Sequence, residues 1–326
     1  MNTNLSDYFE VIDRFFLGKD YYLSDIPGGV SFDIKVKASC EDKDYIIKVI
    51  EGKVSASGNL ENRVLWYQTL AKIRQNHNYL LVPIWCKIYN GHIVTVTDWI
   101  YGEQLDSVFK ANPELMVSIG KRIGKYIREI HNQEFVKNTL KDKGVTINPA
   151  IISLTETRIN EVCSNGITFA SIDKAIDYLK NNLDQISEER AAIVHNDLRP
   201  ENFILKDTDI LLFDFDSGMI TDCYGDFTYL TVMSESYYRP FSYALIMSYF
   251  NDNIPDDFWK VNLFYSILKL LDYAITKYKL KGTMVIQQAK NFIETFDDYR
   301  SVEPTWWKMM DEQFREEYLH LGDCSK

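Results

Sequence analysis

The period of hydrophobic positions changes along the chain, and the change falls near residue 100. Before it, short alternating runs dominate. Residues 31–38 place Phe32, Ile34, Val36 and Ala38 on one face, as a half-buried strand requires. Residues 21–26 and 45–50 read as neighbouring strands, reached through turns at Pro27-Gly28-Gly29-Val30 and Glu41-Asp42-Lys43-Asp44. Residues 58–70 read as a helix. Residues 80–88 and 92–99 flank Asn90-Gly91, a pair that tolerates positive φ at both centres and so favours a type I′ hairpin. From Pro113 the period lengthens. Met116, Ile119, Ile123, Ile127 and Ile130 form a helical stripe, with Lys121, Arg122, Lys125 and Arg128 turned away. Gly120 and Gly124 weaken that helix but allow close packing. Two more helices are expected between residues 150 and 190, and others over 239–278 and 282–318, with breaks at Pro255, Gly282 and Pro304. The pattern predicts an α+β chain, with a small antiparallel sheet lobe over residues 1–99 and a mainly helical lobe over 100–326.

Composition narrows the partners. A chain of 326 residues, 46% hydrophobic, can bury a substantial core and does not read as disordered. No apolar run is long enough to span a bilayer, so no membrane association is expected. The first residues lack the basic and apolar regions of a secretory signal. Cys40, Cys86, Cys163, Cys223 and Cys324 are dispersed without a CxxC pair, which suits a reducing cytoplasm better than a disulfide framework or zinc site. A net charge of −11 argues against a nucleic-acid partner and is compatible with a cationic small molecule.

The densest candidate chemistry is His195-Asn-Asp-Leu-Arg-Pro-Glu-Asn202, followed by Leu211-Leu-Phe-Asp-Phe-Asp216. Phosphoryl transfer from ATP needs a carboxylate to orient the accepting hydroxyl, and an amide and a second carboxylate to hold Mg²⁺ on the phosphates. Asp197, Asn202 and Asp214 supply those groups in that order. A capped turn would account for Asp197 and Asn202, but not for an acid ending an apolar strand.

These residues resemble the aminoglycoside phosphotransferase and choline kinase superfamily, relatives of the protein kinases. Its pattern is H-G-D-x-x-x-x-N, a hydrophobic strand, D-[FW]-[DEG], then G-D-P-x-x-D-L-A. Thr221-Asp222-Cys-Tyr-Gly-Asp226-Phe-Thr-Tyr-Leu230 matches the tail in spacing. Agreement is strongest over residues 191–230 and weaker over the first 230. Asn196 stands where the family usually has Gly, and Glu201 departs from the usual Gly before Asn202. The loop is thereby close to the Asp-Leu-Lys-Pro-Glu-Asn of Ser/Thr protein kinases.

The resemblance implies a protein-kinase-like, two-lobed fold and an ATP- and Mg²⁺-dependent transfer to a hydroxyl. It makes Asp197 the catalytic group, Asn202 and Asp214 the metal ligands, and Asp226 a buttress of the catalytic loop. Lys48, in Ile-Ile-Lys-Val, takes the place of the phosphate-binding lysine, with Gly28 and Gly29 where a loop would fold over the phosphates. Relatives read N-E-x-x-x-Y-x-x-L on the following helix, which aligns the acid with Arg63; Glu61 is the acid nearest to it and the candidate partner of Lys48. Asp98, Trp99 and Ile100 match the hinge whose backbone binds adenine, and His131 reads as a buried packing or capping residue. Arg199 either touches the transferring phosphate or pairs with Glu201.

The acceptor pocket is expected between the catalytic loop and the late helices. That region holds Tyr237, Tyr238, Phe241, Tyr243, Tyr249, Phe250, Trp259, Trp306 and Trp307, with Asp256, Asp257 and Glu303. Such aromatics and acids suit an aminoglycoside-like antibiotic or an amino alcohol such as choline, although aromatics at helical spacing more often form core. Two alternatives stay open: a Ser/Thr protein kinase-like enzyme, and a non-enzymatic nucleotide-binding scaffold.

Overall fold

The computed structural model describes residues 4–26, 34–51, 60–142, 144, 146–233, 236–279 and 285–321. In chain order its elements are α1 (Phe9–Phe16), β1 (Tyr22–Asp25), β2 (Ile34–Cys40), β3 (Lys43–Glu51), α2 (Leu60–Arg74), β4 (Trp85–Tyr89), β5 (His92–Asp98), β6 (Glu103–Gln104), α3 (Leu105–Ala111), α4 (Leu115–His131), α5 (Glu134–Asp142), α6 (Asn148–Ser164), α7 (Ile172–Asn181), β7 (Ala191–Val194), β8 (Phe203–Lys206), β9 (Asp209–Leu212), β10 (Met219–Asp222), α8 (Arg239–Tyr249), α9 (Phe258–Lys279), α10 (Val285–Thr295) and α11 (Thr305–His320). They form two compact units, residues 1–105 with 201–217, and residues 106–200 with 218–326. The first unit reaches Leu105, beyond the residue 99 expected from the pattern, and takes in residues 201–217.

The first unit is built on a five-stranded antiparallel sheet, ordered β1-β2-β3-β5-β4. Asn90 and Gly91 both have positive φ, 50° and 74°, so the β4–β5 connection is the expected I′ turn. The strand expected from residue 80 begins only at Trp85. The segment before it bonds elsewhere: Leu212 N–H donates to the Tyr79 carbonyl, and Leu81 N–H to the Leu212 carbonyl, both at 2.8 Å. One sheet face is apolar. Val36, Ala38, Ile47, Val49, Val94 and Val96 bury against Val11, Ile12 and Phe16 of α1. Strand alternation therefore sends Lys48 to the face away from α1. A smaller sheet pairs β6 with β8 and β8 with β9, which is why residues 201–217 join this unit despite following the helices in sequence.

The second unit is mainly helical. The stripe on α4 packs against α8, where every residue from Phe241 to Tyr249 is buried. Contact is close because a Cβ on Gly124 would sit 2.9 Å from Ser248 Cβ and 2.9 Å from Tyr249 N, and closer still to the Leu245 carbonyl oxygen. Alanine favours a helix over glycine by about 1 kcal/mol. Backbone atoms of a buried helix cannot step aside, so overpacking, at about 1–3 kcal/mol, prevails. Gly124→Ala is therefore expected to lower stability by the difference, up to about 2 kcal/mol, read as a shifted urea midpoint at unchanged slope. The late helices break near Pro255 and Pro304 as expected, and β7 and β10 form a short antiparallel ribbon. Among the described residues no helix is long and apolar enough to cross a membrane.

Candidate active site

Within the first unit, the β8–β9 hairpin aligns two candidate metal ligands. Phe203 pairs with Leu212, and Phe213 N–H donates to the Asn202 carbonyl at 3.0 Å. Asn202 and Asp214 therefore leave the same end of the hairpin. Asn202 is buried, and Asp214 has a φ of 63°, unusual for a residue with a side chain. An amide oxygen and a carboxylate are the hard donors that Mg²⁺ prefers, so this pair fits the ion. Lys48 Nζ lies 3.5 Å from Asp214 Oδ1 and also pairs with the Asp216 carboxylate; its side chain is only 12% exposed.

Helix α2 fastens this segment from one side. Trp66 Nε1 donates to the Phe215 carbonyl at 3.1 Å, Tyr67 Oη to Asp216 Oδ1 at 2.7 Å, and the Arg63 guanidinium to the Asp216 carbonyl. Glu61, expected to pair with Lys48, is exposed on the first turn of α2. Two residues turn a helix by about 200°, so Glu61 and Arg63 cannot face the same way. Arg63 takes the inward position, and Asp216 supplies the carboxylate that Glu61 was expected to provide.

The hinge segment extends the edge of β5. Trp99 N–H donates to the Asp44 carbonyl at 2.9 Å, continuing the ladder with β3. Main-chain groups alternate along a strand, so the Asp98 carbonyl faces the other edge, where β4 has ended. The Asp98 side chain pairs with Arg74 at 2.8 Å, and Ile100 follows half-buried. Gly28 and Gly29 lie outside the described residues.

In the second unit, β7 runs into the loop bearing His195, Asn196 and Asp197. Asn196 has a φ of 64°, a conformation asparagine tolerates better than most, and it occupies the place where the family pattern has glycine. The loop backbone is anchored by Asp226, which accepts from His195 N–H at 3.0 Å and from Asn196 N–H. His131 closes the arrangement, with one ring nitrogen 3.0 Å from Asp226 and the other 2.8 Å from the Tyr249 hydroxyl. Burial by itself would raise the Asp226 carboxyl. The hydrogen bonds and positive charge around it prevail and hold it below the ordinary range.

Lys269 braces the loop from α9, its ammonium donating to the Asn196 carbonyl at 2.6 Å. Burial pushes this lysine below its usual pKa against the pull of Asp197 and Asp226. The Arg199 guanidinium holds Asp197 Oδ2 at 2.6 and 3.0 Å. Lys269 was not anticipated, although a lone lysine between Leu268 and Leu270 in an apolar helix is a readable signal. Arg190 was also missed. It binds Asp222, the first acid of the family tail, and Asp257.

A cavity of about 420 Å³ opens beside this loop, within the second unit. Asn196 forms one end, and α6, β10, the turn after β10 and α9 form the walls. It does not use the expected aromatic set. Phe241, Tyr243, Tyr249, Trp259, Trp306 and Trp307 are buried core, and Tyr265 and Tyr273 line the cavity instead. Nor is its wall acidic: its charged side chains are Asp272, Lys269 and Lys277.

Residues 23–258 match the model of the phosphotransferase enzyme family, APH. The chain belongs to this family. Solved structures agree on the fold of this phosphotransferase. Spectinomycin phosphotransferase APH(9)-Ia, in complex with ADP and spectinomycin, superposes with a TM-score of 0.55 at 15% identity, over 95% of this chain and 98% of the other. The ternary complex of APH(2″)-IIa with streptomycin and ATP gives 0.56 at 14%, over 90% and 99%. Macrolide 2′-phosphotransferase MphH from Brachybacterium faecium gives 0.55 at 13%, over 87% and 96%. No curated protein sequence matches the chain. The phosphotransferase thus has the kinase-like α+β fold of the aminoglycoside phosphotransferases, an antiparallel N-terminal sheet followed by a helical remainder.

Proposed function

We propose that this phosphotransferase moves the γ-phosphoryl group of ATP to a hydroxyl of a small molecule. The observation that carries the reading is the approach of Lys48 to Asp214, two residues far apart in sequence that phosphoryl transfer needs together. The acceptor oxygen forms a bond to the γ-phosphorus, the bond from that phosphorus to the β-γ bridging oxygen breaks, and ADP leaves. Asp197 orients the hydroxyl and takes its proton. Lys48 binds the α and β phosphates, and the backbone from Asp98 to Ile100 binds the adenine edge. Gly28 and Gly29 cover the phosphates. Asn202 and Asp214 would hold Mg²⁺, which when bound neutralises charge on the phosphate oxygens. Arg199, now on Asp197, lies beside the group that meets the acceptor and stabilises phosphate charge. The free cysteines Cys40, Cys86, Cys163 and Cys223 suit a reducing cytoplasm, where ATP is available.

Two observations bear on acceptor class, and they point in different directions. The net charge of −11 and the streptomycin and spectinomycin complexes of the neighbours support a cationic, aminoglycoside-like acceptor. The lining of the cavity beside Asn196, with two lysines and a mostly apolar wall, supports another class. The phosphotransferase reading itself is tested with γ-labelled ATP against amino sugars, amino alcohols, neutral alcohols and generic proteins. Label is expected in a small molecule. Label in proteins alone, or hydrolysis of ATP with no acceptor labelled, would overturn it.

A further inference from the structure

The cavity beside the catalytic loop differs in charge from the chain that contains it. Among the described residues its one carboxylate, Asp272, is held by the Arg158 guanidinium, so that negative charge is offset within the protein. Two lysines then dominate the lining. Lys269 stands at the Asn196 end, spending a hydrogen bond on the loop carbonyl. Lys277 stands on the same helix, its ammonium 5.3 Å from the centre of the Tyr273 ring. Most of the remaining wall is apolar, including Leu268. Thr228 also lines the cavity, with its hydroxyl oxygen buried out of reach of solvent.

A polycationic sugar entering here would meet the Lys277 ammonium and lose its own hydration against apolar walls, while the Lys269 charge is already partly offset by Asp197 and Asp226. An apolar alcohol meets neither obstacle. It gains from the Tyr273 and Leu268 surfaces and presents its reacting hydroxyl at the Asn196 end, next to Asp197. A carboxylate or similar group on its far side would be matched by Lys277. We propose that the acceptor of this phosphotransferase is a largely apolar alcohol, uncharged or anionic, held in the cavity between α6 and α9, and not a polycationic amino sugar. This rests on the phosphotransferase reading above.

The test uses the full chain with anilinonaphthalene sulfonate, an apolar anion, as fluorescent probe. Probe emission should rise on binding, and naphthyl alcohols and their carboxylated counterparts should displace it. Polyamino sugars at equal concentration should not. Lys277→Glu, at a half-buried position, is expected to weaken probe binding roughly tenfold by reversing a nearby charge. The alcohols that displace the probe should accept label from γ-labelled ATP. Transfer to polyamino sugars, with Lys277→Glu indistinguishable from the parent in probe binding, would overturn the inference and leave the phosphotransferase standing. Displacement by apolar alcohols with no transfer from ATP to any alcohol would overturn the acceptor assignment and the phosphotransferase reading together.

Discussion

Asp197→Asn is expected to lower turnover by at least ~100-fold, the scale of a lost general base. The substitution keeps the shape of the side chain and removes its ability to take the hydroxyl proton. Its loop should persist, because the anchors are Asp226 and Lys269, which bind the backbone of His195 and Asn196 and not the Asp197 carboxylate. Arg199 loses a charged partner, but that pair is partly exposed, with 43% of the arginine side chain in solvent, and contributes little to stability. ATP affinity should change little. The measurement is steady-state transfer to an acceptor found by the label screen, with calorimetric ATP binding as control. Parental turnover in the variant would remove Asp197 from the mechanism.

Asp214→Ala is expected to abolish the Mg²⁺ dependence of ATP binding, a loss of roughly 100-fold or more in the metal-dependent part. The side chain faces two tasks, as a hard oxygen donor beside Asn202 and as a neighbour of Lys48 at 3.5 Å. Asp216 still pairs with Lys48 in the variant, so the lysine keeps a partner and the metal loses its ligand. The two effects can be separated by chelation. In the parent, EDTA should weaken ATP binding as much as the substitution does. In the variant it should do nothing further, because both perturbations remove the same interaction. If the variant binds MgATP as the parent does, the assignment of Asp214 to the metal fails.

Local features were legible in the sequence. Asn90-Gly91 dictates its hairpin because the turn needs two positive φ values, and the α4 stripe dictates a buried face because its period is that of a helix. The spacing from His195 to Asp216 marks a loop and an acid at the end of an apolar strand without reference to anything distant. The role of Asp226 followed from the family tail, and its bonds to His195 and Asn196 match that expectation. What failed depended on direction. Glu61 was chosen for its charge, but the rotation of α2 turns Arg63 inward and Glu61 to solvent. The late aromatics were grouped by composition, but the packing of α8, α9 and α11 on their neighbours consumes Phe241, Tyr243, Tyr249, Trp259, Trp306 and Trp307 as core.

The sequence by itself therefore determined the α+β class and most element positions, which depend on periodicity acting over a few residues. Tertiary structure alone decided that residues 201–217 pack with the N-terminal sheet, that Asp216 pairs with Lys48, and that Lys269 braces Asn196 beside a cavity whose lining residue Asp272 is paired with Arg158. Each joins groups dozens to more than a hundred residues apart. Such pairings are set by which faces bury together when the whole chain closes, and no local pattern encodes that choice.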